Sequence, residues 1–225
     1  VQPPLGLAPA FGDMDGDGDK DMIIGDVDGL VHYFQNTAIP GQPAVFTTVI
    51  QNYMGIDIGQ FATPTLADID RDGKMDMVLG DIMGTLNYFH NTGTAQVAAF
   101  ASTPDDDNWG LVDVEPICCI GFSVPFIFTN PQSGRYDMIV GSEKGDLFYY
   151  KDFESELGDT FTLDQANFGD IKEGGRTAIA GGDVSDDGQW EWFVGDLRGG
   201  IGFYSGNGII ASVSQDNQQP MAAWE

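Results

Sequence analysis

Basic residues are scarce in this chain: nine Lys and Arg stand against 35 Asp and Glu in 225 residues, a formal charge of −26. A surface of that sign repels phosphate backbones and anionic headgroups, so nucleic acids and membrane surfaces are poor partners and cations are the natural counterpart. Cysteine is nearly absent. Cys118 and Cys119 are adjacent, which rules out a disulfide framework and would strain a ring between neighbours. They read as two small apolar residues in a strand, and the redox compartment stays open. Long apolar runs are missing as well: Met22-Ile23-Ile24 and Ile139-Val140 both stop at glycine, far short of the roughly 20 residues that span a bilayer. Disorder is excluded by composition, because 15 Phe, 7 Tyr and 4 Trp supply the large apolar surfaces that a solvated acidic tail lacks. No charged-then-apolar leader precedes the first patterned segment, which opens near Val1, so the chain is expected to be processed or cut from something longer.

What the sequence does contain is a repeat. Residues 11–37 (FGDMDGDGDKDMIIGDVDGLVHYFQNT) recur as 66–92 (LADIDRDGKMDMVLGDIMGTLNYFHNT), then with decay as 127–152 and 181–206. The anchor residues Asp21, Asp76, Asp137 and Glu191 precede four apolar runs at spacings of 55, 61 and 54 residues. A second phrase sits between units, beginning Asn52-Tyr53-Met54-Gly55, Asn108-Trp109-Gly110 and Asn167-Phe168-Gly169. Periods of this length signal an array of equivalent units. Within the first unit, residues 8–11, 21–24, 30–34 and 45–50 read as strands, the last after the Pro40-Gly41 break, and no segment holds a helical period. The pairs Gly25/Gly29, Gly80/Gly84, Gly141/Gly145 and Gly195/Gly199 fall at hairpin corners, where positive φ or close backbone approach is needed. Four antiparallel strands per unit at this period is what a β-propeller blade demands. The expected architecture is all-β, with four blades at about 7–50, 63–100, 117–163 and 177–214 and a polar tail over 215–225.

The loops carry the chemistry. Asp13, Asp15, Asp17 and Asp21 occupy positions 1, 3, 5 and 9 of the first, with Gly18 at position 6 for a tight reversal and Asp19 at position 7. Alternate side chains of such a loop converge on one point, position 7 offers a backbone carbonyl, and position 9 closes an oxygen cage suited to calcium. The second loop repeats this with Asp68, Asp70, Asp72 and Asp76, Gly73 and Lys74; the fourth has Asp183, Ser185, Asp187 and Glu191, Gly188 and Gln189. Three calcium sites are expected, with Asp19, Lys74 and Gln189 acting through their carbonyls. Two carboxylates about 5 Å apart repel by roughly 3 kcal/mol at an effective dielectric near 20. A turn without a counter-ion would not repeat that cost. An EF-hand is rejected because position 12 is Ile24, Leu79 or Val194 rather than Glu. The third loop, with Thr129, Pro131 and Ser133 at positions 1, 3 and 5, keeps only Gly134 and Asp137, so it is expected to hold its turn without metal. Weak extracellular-type sites give about 0.4–1.4 kcal/mol each at millimolar calcium, or about 1–4 kcal/mol for three. Such sites fill outside the cell.

The pattern D-x-D-x-D-G-x-x-D, an apolar run, Gly and a Gly-led aromatic strand resembles the FG-GAP/VCBS repeat family over most of the chain. The resemblance implies a propeller with calcium loops on one face, commonly seven-bladed. The phrases GTLNYFHNTGT and EGGRTAIAGGDVSDDG are similar to large secreted Bacteroidota proteins exported by the type IX system. Four units then imply either a small complete ring or, the preferred reading, four blades of a longer protein whose remaining blades or another subunit complete it.

Catalysis finds little support. His32 and His90 both lie in the aromatic third strand with no Ser or Cys motif around them, and read as half-exposed strand residues. The expected role is a non-catalytic binding or adhesion module at the cell surface, with a protein or glycan partner. A calcium-dependent polysaccharide lyase, or another glycan-active enzyme, is the alternative, weakened by the lack of a Lys/Arg cluster. Tyr53, Trp109 and Phe168 in the connectors, with Trp190, are the candidate contact aromatics, against inter-blade packing for the connector set; Trp192 aligns with Met77 and reads as core.

Overall fold

β-Branched and aromatic runs bounded by glycine fold as read, into short antiparallel hairpins. The computed structural model describes residues 6–39, 41–115, 120–172 and 174–205. Cys118, Cys119, the end of the fourth unit and the polar tail lie outside the described residues. The first sheet runs β1 (Ala8–Gly12), β2 (Asp21–Gly25), β3 (Val31–Asn36) and β4 (Phe46–Ile50) in spatial order. The second holds β5 (Thr63–Ala67), β6 (Asp76–Gly80) and β7 (Leu86–Phe89), and the third β8 (Val124–Thr129), β9 (Tyr136–Gly141) and β10 (Leu147–Tyr150). The fourth holds β11 (Ala178–Gly182), β12 (Glu191–Gly195) and β13 (Ile201–Ser205). Every pairing is antiparallel.

Among the described residues, four strands are present only in the first sheet, and the place of the fourth unit's fourth strand lies outside them. In the second and third, the fourth strand shrinks to single bridges, Tyr88 with Asp106 and Tyr149 with Gln165. The reason is local. Residues 46–50 read FTTVI, whereas residues 101–107 read ASTPDDD, where Pro104 lacks a ladder donor and the aspartates disfavour strand. The inter-unit phrases are not extended either. They fold into 3-10 turns at Tyr53–Gly55, Trp109–Leu111 and Phe168–Asp170.

Stacking follows from the first strands, which lie beside one another in the order β1, β5, β8, β11. Burial records the stack. β2 alternates between buried and half-exposed residues, while β6 is buried throughout and β9 everywhere beyond its first residue. A sheet covered on both faces reads as a continuous apolar run; one covered on a single face alternates.

Two different needs explain the paired glycines. Gly29, Gly84, Gly145 and Gly199 turn the hairpins at φ between 83° and 94°, a region that costs side-chain-bearing residues strain. Gly25, Gly80 and Gly141 instead admit the next unit: a Cβ there would stand 2.1 Å from Ala62 O, 2.2 Å from Ser123 O and 1.9 Å from Thr177 O. Gly195, on the last sheet, meets nothing within 4 Å among the described residues.

Candidate metal centres in the interstrand loops

Each loop joins the first and second strands of its sheet, and one buried carboxylate pins it. Asp21 accepts Met14 N–H at the loop start (3.1 Å), the Tyr33 hydroxyl (2.9 Å) and Asn36 N–H (2.7 Å), the latter two from β3. Asp76 repeats the pattern with Ile69 N–H, the Tyr88 hydroxyl and Asn91 N–H. Asp137 does so with the Asn130 amide, the Tyr149 hydroxyl and Asp152 N–H. The donors recur 12 and 15 residues beyond the anchor. Glu191 holds its own loop through Val184 N–H, Ser185 N–H and the Ser185 hydroxyl. These position-9 residues thus carry a protein-facing job. Three donors occupy most of the roughly four acceptor sites of a carboxylate. The third unit, which has lost its other loop aspartates, keeps this job, and therefore keeps Asp137.

Burial pushes the Asp21 and Asp76 carboxyls above the usual range, opposed by their hydrogen bonds from Asn36 and Asn91 N–H and from Tyr33 and Tyr88.

The first loop then gathers carboxylates that face one another. Asp13, Asp15 and Asp17 each place an oxygen within 4.8 Å of the others. Backbone donors fix them from behind: Gly16 and Gly18 N–H bond Asp13, Asp17 N–H bonds Asp15, and Asp19 N–H bonds Asp17. Gln35 on β3 donates to Asp15 Oδ2 at 2.7 Å. Asp19 differs from expectation. Its side chain turns in, and both carboxylate oxygens are shut from solvent with no hydrogen-bond partner. Desolvation, followed by the charges of Asp17, Asp15 and Asp13, raises its carboxyl above the usual range, opposed by the nearby Asn36 amide. Occluded carboxylate oxygens without donors are costly unless a cation satisfies them. The converging donor set, from Asp13, Asp15 and Asp17, is all oxygen and would fit a hard dication such as calcium; Asp19 lies outside that group but within reach of its charge.

The second loop is built alike but filled differently. Asp70 and Asp72 converge with His90 Nε2, all within 4.8 Å, while Asp68 accepts Gly73 N–H on one oxygen and leaves the other occluded and unpartnered. Lys74, read from sequence as a carbonyl ligand, sends its ammonium to Asp72 Oδ2 (2.6 Å) and Asn91 O (2.8 Å). That contact draws the Asp72 carboxyl below the usual range. In the fourth loop Asp183 accepts Asp187 and Gly188 N–H, Asp187 accepts Gln189 N–H, and the Ser185 hydroxyl is taken by Glu191.

Backbone conformation separates the three acidic loops from the third. Position 6 is glycine at positive φ in all four: Gly18, Gly73, Gly134 and Gly188. Position 4 is also left-handed in the acidic loops, as Gly16, Arg71 and Asp186, but Gln132 has no positive φ. The third loop closes instead around Asn130, whose side chain accepts Gln132 and Ser133 N–H.

The aromatic candidates divide. Tyr53 and Trp109 are buried, not exposed: Tyr53 packs on Tyr33 and Phe100, Trp109 on Tyr88, Phe153 and Phe161. Phe168 and Trp190 are half-buried and, with the likewise half-buried Trp192, edge an open groove of about 1010 Å³ between the third and fourth loops. Among the histidines, His32 bridges Asp26 Oδ2 (2.9 Å) and Asn52 N–H (3.3 Å), a connector-fixing role. His90 at the second loop was not legible from its strand pattern; its signal lay in standing one residue before Asn91, as Gln35 stands before Asn36.

Residues 13–79 match the FG-GAP-like repeat. The match runs from the first loop into β6, less than half of the chain, and over that stretch the chain is similar to the family. None of the curated proteins matches the chain. Among solved structures, the crystal structure of BBS1N in complex with ARL6DN, soaked with lead, is similar at 10% identity and a TM-score of 0.44, over 91% of this chain and 55% of that one. The chain spans about half the length of that neighbour.

Proposed function

We propose that the protein is a calcium-stabilised β-propeller module of a secreted or surface protein, exported by a route such as the type IX system, that binds a glycan without turning it over. The observation that carries the metal part is the convergence of Asp13, Asp15 and Asp17 within 4.8 Å, beside an Asp19 carboxylate that is occluded and without a hydrogen-bond partner. Calcium there would neutralise the cluster and tie β1 to β2. The second and fourth loops are weaker sites on this reading, because Lys74 and Glu191 already engage their ligands.

The groove supports the glycan part. Phe168, Trp190 and Trp192 line it beside the amides of Asn130, Gln165 and Gln189. Aromatic faces with neighbouring amides suit the apolar faces and hydroxyls of a sugar, and few polar groups in an aromatic-lined cleft set orientation. Among the described residues that line it, Lys151 is the one basic side chain, a poor match to a polyanion. Neutral oligosaccharides are the fitting class.

Thermal unfolding in 1 mM calcium and in excess chelator tests the metal reading. Chelation should lower Tm by several degrees, since about 1–4 kcal/mol is at stake and 1 kcal/mol moves a domain of this size by about 2–4 °C. The pH dependence should change sign with the ion. In chelator, the raised carboxyls of Asp19, Asp21 and Asp76 contribute stability that is complete below their ordinary value and lost as pH rises through the folded one, so Tm should rise from pH 7 toward 4.5. With calcium, protons compete with the ion, and Tm should fall over the same window. Identical curves in both solutions would refute the calcium reading. For the groove, Trp190→Ala should reduce retention of neutral oligosaccharides on an array about tenfold or more, as loss of an aromatic hot spot does; Tm should fall as well, because Trp190 also packs on Phe128 and Trp192, so retention is compared well below the lowered Tm. Incubation with acidic polysaccharide should yield no unsaturated product; its appearance would move the assignment to a lyase.

A further inference from the structure

The second loop differs from the first at one register position that the calcium reading does not use. The third strand of each unit passes over the loop, and the residue just before Asn36 or Asn91 reaches the position-3 aspartate. In the first unit that residue is Gln35, whose amide donates to Asp15 Oδ2. In the second it is His90, whose Nε2 stands 3.2 Å from Asp70 Oδ2 and 3.9 Å from Asp72 Oδ2. The nitrogen is closed to solvent and makes no hydrogen bond, although 35% of the side chain is exposed at its outer edge. The ring is held from outside the cluster: its backbone N–H bonds Asp105 and its face stacks along Tyr88.

We propose that the second loop is a mixed nitrogen and oxygen site for a first-row transition dication of the zinc class, ligated by Asp70, Asp72 and His90. Imidazole is a preferred ligand of zinc, nickel and copper, and a poor one for calcium, which takes oxygen. Two carboxylates and one imidazole within 4.8 Å form a three-ligand set that leaves further positions to water. The first loop, with an amide where the second has the imidazole, stays an oxygen-only site. Lys74 is the built-in competitor. Its ammonium holds Asp72 Oδ2 at 2.6 Å and retains Asn91 O when displaced, so it weakens the site without blocking it. The inference rests on the calcium reading only in taking the loops as cation sites.

The test is zinc titration of the whole chain by calorimetry, without calcium and again in 1 mM calcium, with cobalt as the spectroscopic probe. The wild type should bind zinc in both solutions, with a cobalt spectrum showing nitrogen ligation and zinc-dependent shifts of the His90 ring signals. Removing even an outer-shell partner costs about 10–100-fold in metal affinity, so His90→Gln should weaken zinc by at least tenfold. It should leave the calcium isotherm and the metal-free Tm unchanged. Lys74→Ala should tighten zinc, and Gln35→His should create a second zinc site at the first loop. Zinc affinity equal in wild type and His90→Gln, or zinc shifts confined to His32, would overturn the proposal. Chelator-insensitive Tm together with His90-dependent zinc binding would instead overturn the calcium reading and leave this one standing.

Discussion

Gly141→Ala should destabilise the protein by about 2–3 kcal/mol or more, lowering Tm by about 5–10 °C, because the new methyl would lie 1.9 Å from Thr177 O and 2.8 Å from its carbon. Both contacts are backbone of the next unit, so no side-chain rotation relieves them. The third and fourth sheets must move apart. Gly80→Ala, aimed at Ser123 O at 2.2 Å, should behave alike. Gly195→Ala is the internal control: among the described residues nothing lies within 4 Å and φ is not left-handed, so its effect should stay within about 0.5 kcal/mol or become mildly stabilising through the unfolded chain. The three glycines occupy the same place in the repeat, and only the presence of a packed neighbour separates them. Equal Tm shifts for Gly141→Ala and Gly195→Ala would show that the close approach is not what the glycine serves.

Removing the anchor carboxylate of the third unit should cost still more. Asp137 is 1% exposed and accepts the Asn130 amide at 2.6 Å, the Tyr149 hydroxyl at 2.5 Å and Asp152 N–H at 2.8 Å. Asp137→Ala strands three donors, two of them tying β10 and the segment after it to the loop. Unpartnered buried donors cost about 1–3 kcal/mol each, and loss of a charged acceptor sits at the upper end, so about 3–5 kcal/mol is expected. The loss should be the same in calcium and in chelator, since this loop lacks the other carboxylates. Asp21→Ala should show both components: a large loss in chelator, and a further one in calcium because Asp21 pins the loop that carries Asp13, Asp15 and Asp17. Urea melts of the two variants in both solutions separate anchoring from ion binding. A calcium-dependent loss in Asp137→Ala would mean that the third loop also takes an ion.

Much of this was legible in the sequence because the repeat multiplies every signal. The strands of the first unit begin and end within about two residues of their expected places, since alternation, glycine corners and β-branched content agree there. The period predicts a fourth strand in the second and third units too, but the second has ASTPDDD there, which cannot sustain a ladder, and a local breaker outweighs a global period. Packing between units is the favoured reading of the connector aromatics over surface contact, because they recur with the period, and Tyr53 and Trp109 are core. A periodic aromatic is needed wherever sheets stack, and its exposure depends on which neighbour arrives.

The site shows the same division. Spacing alone brought Asp13, Asp15 and Asp17 together, because alternate residues of an extended loop share a side. It could not say that Asp21 and Asp76 spend their oxygens on Tyr33, Tyr88 and the end of the third strand. Those partners are 12 and 15 residues away and meet the loop only after two strands have paired. Nor could it say that Asp19 turns its carboxylate inward while Lys74, its counterpart, brings an ammonium.

Sequence by itself determined the repeat, the all-β class, the acidic loops and their left-handed glycine, because each is a property of neighbours along the chain. Tertiary structure alone decided which glycines are packed, which aromatics are buried, which carboxylates lack a donor, and that His90 stands over the second loop. Those depend on distances between residues that only strand pairing and sheet stacking bring together.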